Sequence, residues 1–249
     1  MKTDEVIVTF SRNSATNFSV DPKSADEWTN IFLLDQVVAT FFKSTGDGRL
    51  SAYLAESLIP SQDNLKWVIK VKKGFTDEND IPLTPSYWKR GIEILSHRVS
   101  SPQTMILLSK LRNWEEYLKG RAPLAIMAND ETMEITLEFN NPPEGVQEFL
   151  AMPILGFWPP NPERHVSTGE YKMIAISSNE VKLQRRKSSK TSPFKATIRA
   201  LPHTPGTRYR VLPNEILMPN TEDETEGEHN IVKTSPTTMV FAEINVNSQ

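Results

Sequence analysis

The sequence predicts an α/β chain of mixed α+β type, and two kinds of pattern predict it. Two stretches alternate polar and apolar residues at the period of a half-buried strand. In Lys66 to Val71, Trp67, Ile69 and Val71 oppose Lys66, Val68 and Lys70. In Thr132 to Phe139, Met133, Ile135, Leu137 and Phe139 oppose Thr132, Glu134, Thr136 and Glu138. Two further stretches, Ser24 to Phe42 and Thr84 to Val99, place apolar residues at helical spacing instead.

From the start of the chain, Glu5 to Ser11 is a short apolar run expected to be a buried strand. A polar loop follows from Arg12 to Asn17 and reaches Asp21-Pro22. Ser24 and Glu27 make a capping pair for the first helix, whose stripe of Trp28, Ile31, Phe32, Val38 and Phe42 reads as core. Thr45 to Gly48 is a tight turn by composition. Its glycines flank Asp47, but neither a helix nor a Lys-Ser/Thr pair follows, so a phosphate loop is excluded. Leu54 to Ser57 leads either as helix or as extended chain into a turn at Ser61 to Asn64. The strand from Lys66 then ends at Lys72-Lys73-Gly74.

Asp77 to Asp80 is expected to be a turn in water. Thr84 is the natural N-cap of the second helix, with Pro85 at its first position. Ser101-Pro102 breaks that helix. Met105 to Leu111 and Asn113 to Leu118 are read as short helices closing near Gly120. After the Thr132 strand come a stop at Asn140 to Pro143 and a short helix from Glu144 to Ala151. Met152 to Pro160 is apolar but too fenced by proline for a long helix. Tyr171 to Ile176 and Val181 to Arg186 form a hairpin about Ser177 to Glu180. Lys195 to Leu201 and Thr238 to Asn245 are the last expected strands, with an acidic loop at Glu222 to Glu228 between them.

With 249 residues the chain is long enough for a substantial core, and its net charge of -3 draws it to neither nucleic acid nor an anionic bilayer. No cysteine is present, which excludes disulfides, thiolate catalysis and Cys-ligated metal. The histidines, His97, His165, His203 and His229, stand at no metal-ligand spacing. Asp77, Asn79 and Asp80 imitate the start of a calcium loop, but Pro82 stands where that loop needs glycine. Nucleophile elbows, zincin motifs and phosphate-loop motifs are all missing, so the chain is expected to be no enzyme and to carry no cofactor. The basic run Lys182, Arg185, Arg186, Lys187 and Lys190 reads as a solvated hairpin edge. No window approaches the roughly 18 apolar residues of a membrane span. Met1 to Glu5 has no apolar signal core, which leaves two readings: a cytoplasmic protein, or one whose export signal lies outside this segment.

The stretch from Leu54 to Thr84 also resembles the signature of the family 5 extracellular solute-binding proteins, the oligopeptide, dipeptide and nickel receptors of ABC importers. The elements that carry the resemblance are Leu54-Ala55-Glu56-Ser57, Asp63-Asn64, Trp67 to Lys73, Gly74-Phe75 and Pro82-Leu83-Thr84. Asn64 stands where that family commonly has glycine, and Asp77 to Asp80 replaces a shorter turn. Ser167-Thr168-Gly169-Glu170-Tyr171 is similar to the family's Gly-Thr-Gly-Pro-Tyr motif, with Ser167 and Glu170 as departures.

The resemblance implies a periplasmic-binding-protein-like lobe over residues 1–249 with a mixed sheet and an inserted, β-rich subdomain at about residues 45–165. It covers only the amino-terminal part of the family pattern and so implies no second lobe in this segment. The implied ligand contacts are Arg12, Asn13 and Ser14, which otherwise read as an ordinary turn, together with Thr168 and Gly169. Phe157 and Trp158 are implied to stack on a solute, or else to fill core between subdomains. The implied partners are a peptide or other small solute, the ABC transporter membrane subunits and a carboxy-terminal lobe. An open sheet edge also allows a homo-oligomer. The implied location is periplasmic or extracellular, with a lipid anchor outside this segment. The alternative, from another class, is a ligand-sensing effector module of a cytoplasmic transcription regulator, with no nucleic-acid binding by this segment itself.

Overall fold

The first strand of the chain finds its partners at the far end of the sequence. The computed structural model describes residues 5–12, 18–21, 28–45, 48–97, 105, 108–159, 166–186, 195–202, 209–210, 215–218 and 225–226. β1 (Glu5–Arg12) runs parallel to β10 (Lys195–Pro202) on one side and to β12 (Glu215–Met218) on the other. Antiparallel β9 (Glu180–Arg185) and β8 (Tyr171–Ile176) complete a mixed five-stranded sheet in the order β12-β1-β10-β9-β8. The strand at Glu5, the hairpin and the strand at Lys195 are thus where their patterns put them. Thr238 to Asn245 lies outside the described residues. Within the stretch read as an acidic loop, Thr225–Glu226 is a strand, β13, paired in parallel with β11 (Tyr209–Arg210). Strands of two residues are held by backbone hydrogen bonds alone and leave no side-chain period to detect.

Between β1 and β8 the chain builds a second sheet. β4 (Ala55–Pro60), β5 (Lys66–Val71), β6 (Ile126–Asn129) and β7 (Glu134–Glu138) are antiparallel in the order β4-β5-β7-β6. The Leu54 lead-in is therefore extended. One face buries Ile69 and Val71 of β5, Ile126 of β6, and Ile135 and Leu137 of β7. The other face carries cross-strand ion pairs: Lys66 and Arg112 meet the buried Glu138, Lys66 at 3.0 Å, while Lys70 meets the more exposed Glu134 at 3.7 Å, a pair that in water adds little stability. The turn from β4 to β5 is held by its own side chains: Ser61 Oγ donates to Asp63 Oδ1 at 2.6 Å, and the Leu65 N–H donates to the same oxygen at 3.1 Å. Asn64 takes φ 58° there, a left-handed conformation that asparagine tolerates better than other non-glycine residues. β6 has no counterpart in the sequence reading, because four residues containing Met and Ala carry too short a pattern.

α2 (Pro85–Ser96) starts as its sequence dictates: the Thr84 hydroxyl accepts the Tyr87 N–H at 3.2 Å, and Pro85 occupies the first turn. His97 caps it, and residues 98–99 lie outside the description. α1 (Trp28–Val37) is shorter than Ser24 to Phe42; Ser24 to Glu27 lie outside the described residues. At the other end the helix stops early because neighbouring chain segments claim its backbone. The amides of Thr168 and Gly169 donate to Val37 O at 2.9 and 2.8 Å, and the Phe157 amide donates to Ala39 O at 2.8 Å. Phe42 then begins β2 (Phe42–Ser44), paired with β3 (Leu50–Ala52) across the expected Thr45–Gly48 turn. α3 (Trp114–Leu118) forms as expected, whereas Leu111 leaves the helix before it to bridge Phe139. α4 (Val146–Ala151) leads into a single 3-10 turn at Pro153–Leu155.

A continuous core joins the two sheets. Phe41 lies edge-on to Trp88 with ring centroids 5.2 Å apart and 5.0 Å from Phe157. The Trp88 indole N–H reaches Leu155 O at 2.8 Å, so its one polar atom is satisfied inside the core. This packing depends on glycine at the crossing of α2 with the Trp158 backbone, where a Cβ on Gly91 would stand 2.7 Å from Trp158 O. Gly91→Ala sets two effects against each other. Alanine gains about 1 kcal/mol of helix propensity, but forced overpacking costs about 1–3 kcal/mol. The variant is expected to lower the urea midpoint, and an unchanged or higher midpoint would show that the crossing has room to spare.

Candidate ligand-binding site

The register of the five-stranded sheet gives it two unlike ends. The parallel strands finish together: Arg12 lies beside Pro202, and Phe10 beside Met218. The β8–β9 turn is at that same end, since Ile176 pairs with Val181 and Glu180 with Arg199. There the Phe18 amide donates to Ser178 O at 3.4 Å, and the Ser19 amide to Asn30 Oδ1 of α1 at 3.0 Å. Open sheets place ligands outside the carboxyl ends of their parallel strands, so this end is the candidate site. Arg12 belongs to it; Asn13 and Ser14 lie outside the described residues.

Phe157, Thr168 and Gly169 gather at the opposite end. Tyr171 pairs with Arg185, Gln184 with Lys195, and Lys195 with Glu5, which puts Gly169 at the amino end of β1. The length of β1 separates this group from Arg12 by roughly 23 Å at a strand rise of about 3.3 Å per residue. The group is a knot of satisfied bonds. The Thr168 hydroxyl donates to Phe157 O at 2.8 Å and accepts the Ala39 N–H at 2.9 Å. A Cβ on Gly169 would stand 2.6 Å from Gln36 O. Phe157 is fully buried, and Trp158 is buried with its indole N–H shared between Pro153 O and Ile154 O, at 3.1 and 2.8 Å. Of the two roles open to Phe157 and Trp158, the structure gives them core packing. Of the residues singled out in the sequence, the described ones fall apart, with Arg12 at one end of the sheet and Phe157, Thr168 and Gly169 at the other.

Two features beside this knot escaped sequence reading. Arg186, read as part of a solvated edge, is a clasp instead. Its Nη1 donates to Thr168 O and Gly169 O, both at 3.0 Å. Its Nη2 donates to Thr76 O at 2.7 Å and to Asp77 O at 2.5 Å. All these partners are backbone carbonyls, remote in sequence or separated by a turn, so no spacing rule points to them. Asp77, expected in water, is 2 % exposed. Its Oδ1 accepts the N–H groups of Asn79 and Ile81 at 2.8 and 3.0 Å, and its Oδ2 accepts the Tyr87 hydroxyl at 3.3 Å. The Asp77 loop and the first turn of α2 also wall a cavity of about 620 Å³ that reaches Arg90, Asp130 and Pro159. No group of three metal-ligating side chains occurs among the described residues.

Next to the clasp, Lys43 Nζ pairs with Glu170 at 3.2 Å and lies 4.6 Å over the Tyr53 ring. Burial lowers the pKa of the Lys43 ammonium, but the carboxylates of Asp35 and Glu170 outweigh burial and hold it above the ordinary lysine value. Burial pushes the Tyr53 hydroxyl up to about 12. Burial and the Asp77 carboxylate raise Tyr87 as well.

No protein-family model matches the sequence, and no curated protein matches it. Solved structures do match the fold. OppA of Listeria monocytogenes bound to peptide superposes with a TM-score of 0.66 at 15% identity, over 81% of this chain and 43% of that one. OppA of Haemophilus influenzae in complex with RPPGFSPFR gives 0.66 at 18% identity, over 81% and 42%. The Escherichia coli murein tripeptide binding protein MppA gives 0.67 at 15% identity, over 79% and 42%. The chain therefore has the fold of part of a family 5 solute-binding protein, as the Leu54 to Thr84 resemblance implied, and it spans less than half the length of these structures. No helix among the described residues is long and apolar enough to cross a membrane.

Two outcomes follow from this geometry. Arg186→Lys replaces a planar fork by a point charge that cannot serve four carbonyls, and is expected to cost about 2–4 kcal/mol in urea unfolding. Hydrogen exchange at the Asp77 and Glu78 amides should quicken with it; wild-type exchange in the variant would show that the clasp is dispensable. Second, a folded-state pKa above its unfolded value stabilises fully below the unfolded value and is lost as pH rises through the folded one. For Lys43 and Tyr53 the loss should begin near about pH 10 and, for Tyr53, be complete near 12. Thermal scans across that range should show a shallower loss for Tyr53→Phe, and an identical slope would remove Tyr53 from the account.

Proposed function

We propose that this chain is the amino-terminal portion of a peptide-binding receptor for ABC-type import. What carries the reading is the match of about four fifths of the chain to structures described as OppA bound to peptide and as a murein tripeptide binding protein. The carboxyl end of the parallel strands in the five-stranded sheet, with Arg12 and with Asn13 and Ser14 next in sequence, supplies the ligand face. The second sheet and its helices make the inserted subdomain of a lobe extending over residues 1–249. A carboxy-terminal lobe completes the pocket, and closure of the two lobes excludes water from the ligand. The membrane subunits of the transporter are the downstream partners, and the receptor works in the periplasm or outside the cell, anchored by lipid from beyond this segment.

A single lobe offers half of the contacts and no closure, so its affinity should be low. In titration calorimetry with a pool of di- to pentapeptides, the isolated chain is expected to bind weaker than about 100 μM. Joined to a second lobe, it should reach micromolar affinity and lose it on Arg12→Ala. Micromolar binding by the isolated chain would contradict the shared pocket. Failure of the two-lobed protein to bind any peptide would sink the receptor reading.

A further inference from the structure

The second sheet buries one face and turns the other outward, and strand register orders that outward face into rows and columns. In the middle row Ile59 of β4, Val68 of β5, Thr136 of β7 and Met127 of β6 stand side by side. To one side of it lie Lys66 and Glu138, and to the other Ser57, Lys70, Glu134 and Asn129. Along the strands, β5 therefore presents two lysines and β7 two glutamates. The two edge strands present Ile59 and Met127, 58% and 52% exposed. The charges already pair within the chain, Lys66 with Glu138 at 3.0 Å and Lys70 with Glu134 at 3.7 Å. What the face lacks is cover for its apolar row.

The pattern of charge limits what that cover can be. A surface of one sign would be drawn to one column and repelled by the other. A wholly apolar surface would strip water from four charged groups without replacing it. The cover must alternate as this face does, and a second copy of the chain does so. A two-fold axis parallel to the strands, passing between β5 and β7, lays β5 over the partner's β7 and β4 over the partner's β6. Lys66 then faces the partner's Glu138, Lys70 the partner's Glu134, Ile59 the partner's Met127 and Val68 the partner's Thr136. An axis across the strands would instead set Lys66 over the partner's Lys70, so charge selects one arrangement of the two.

We propose that the outward face of the second sheet is an interface between two copies of this chain, stacked about the axis that runs along the strands. Aligned sheets pack about 10 Å apart, close enough for Ile59 and Met127 to interdigitate. Four strands about 4.8 Å apart and about five residues long make a face of roughly 320 Å² in projection. That is less than half of the roughly 800 Å² per partner of a stable interface, so the dimer is weak and reversible. The inference does not rest on the peptide-receptor reading, because the face belongs wholly to the second sheet and Arg12 to the other one.

Sedimentation equilibrium of the chain from about 10 μM to 1 mM tests the proposal, with a dimer Kd of about 0.1–1 mM expected. Lys70→Glu sets like charges against each other across the axis and should weaken the dimer about tenfold or more, as should Glu134→Lys. Mixed in equal amounts, these two variants restore opposite charges at both crossings, and their heterodimer should regain wild-type affinity. Ile59→Ser, which leaves every charge in place, should weaken association about threefold or more. A chain that stays monomeric to about 1 mM would overturn the proposal. So would association that Lys70→Glu leaves unchanged, or that mixing the two variants fails to restore. Association that disappears once a carboxy-terminal lobe is joined would give the face to that lobe and overturn the dimer as well.

Discussion

The Arg186 clasp is the interaction on which the arrangement of the two sheets depends. One guanidinium, at the end of β9, gathers the carbonyls of Thr76, Asp77, Thr168 and Gly169. Those carbonyls belong to the second sheet's loop and to the segment returning from it, so one side chain ties the insertion to the sheet that carries it. Arginine suits this role because its planar fork has several fixed donors and stays charged at any working pH. Around it the Glu78 amide donates to Ser167 O at 2.9 Å, and the Thr168 and Gly169 amides reach Val37 O. The end of α1, the Asp77 loop and the start of β8 are held at one point.

That point lies at the opposite end of the sheet from Arg12. The amino ends of the parallel strands are crowded by the knot of Phe157, Thr168 and Gly169, where each polar atom has a partner and a glycine allows close backbone approach. The Thr168-Gly169 motif therefore serves architecture in the same way as the Trp67 strand. Motif similarity reports what a fold needs in order to close, and a ligand face is chosen later from what closure leaves open.

How much was legible in the sequence follows from the range of the interactions concerned. β5, β7, the β8–β9 hairpin and the Thr84-Pro85 helix start are set by neighbours within a few residues, and their patterns are plain. α1 was read too long because its end is decided by Thr168 and Phe157, far along the chain. Asp77 reads as solvated because an acidic turn usually is, yet its oxygens are filled by backbone N–H groups and Tyr87. Arg186 reads as surface from sequence because its partners are carbonyls, which every residue has. Arg90 and Asp130 carried no signal at all: one is a charged residue on a helix, the other follows a strand, and only the fold sets them around one cavity.

The pairing of β1 has a consequence in time. Glu5 meets Lys195, a partner 190 residues away, and Ile7 meets Glu215, farther still. During synthesis at about 5–20 residues per second, the first strand waits roughly 10–40 s for a neighbour. The second sheet closes with much shorter loops, so its pairing is open to it long before the chain is finished. For that interval β1 is an apolar strand with both edges bare, the kind of segment that other chains capture. β1 is thus made well before its partners and is secured only once β10 and β12 have followed it.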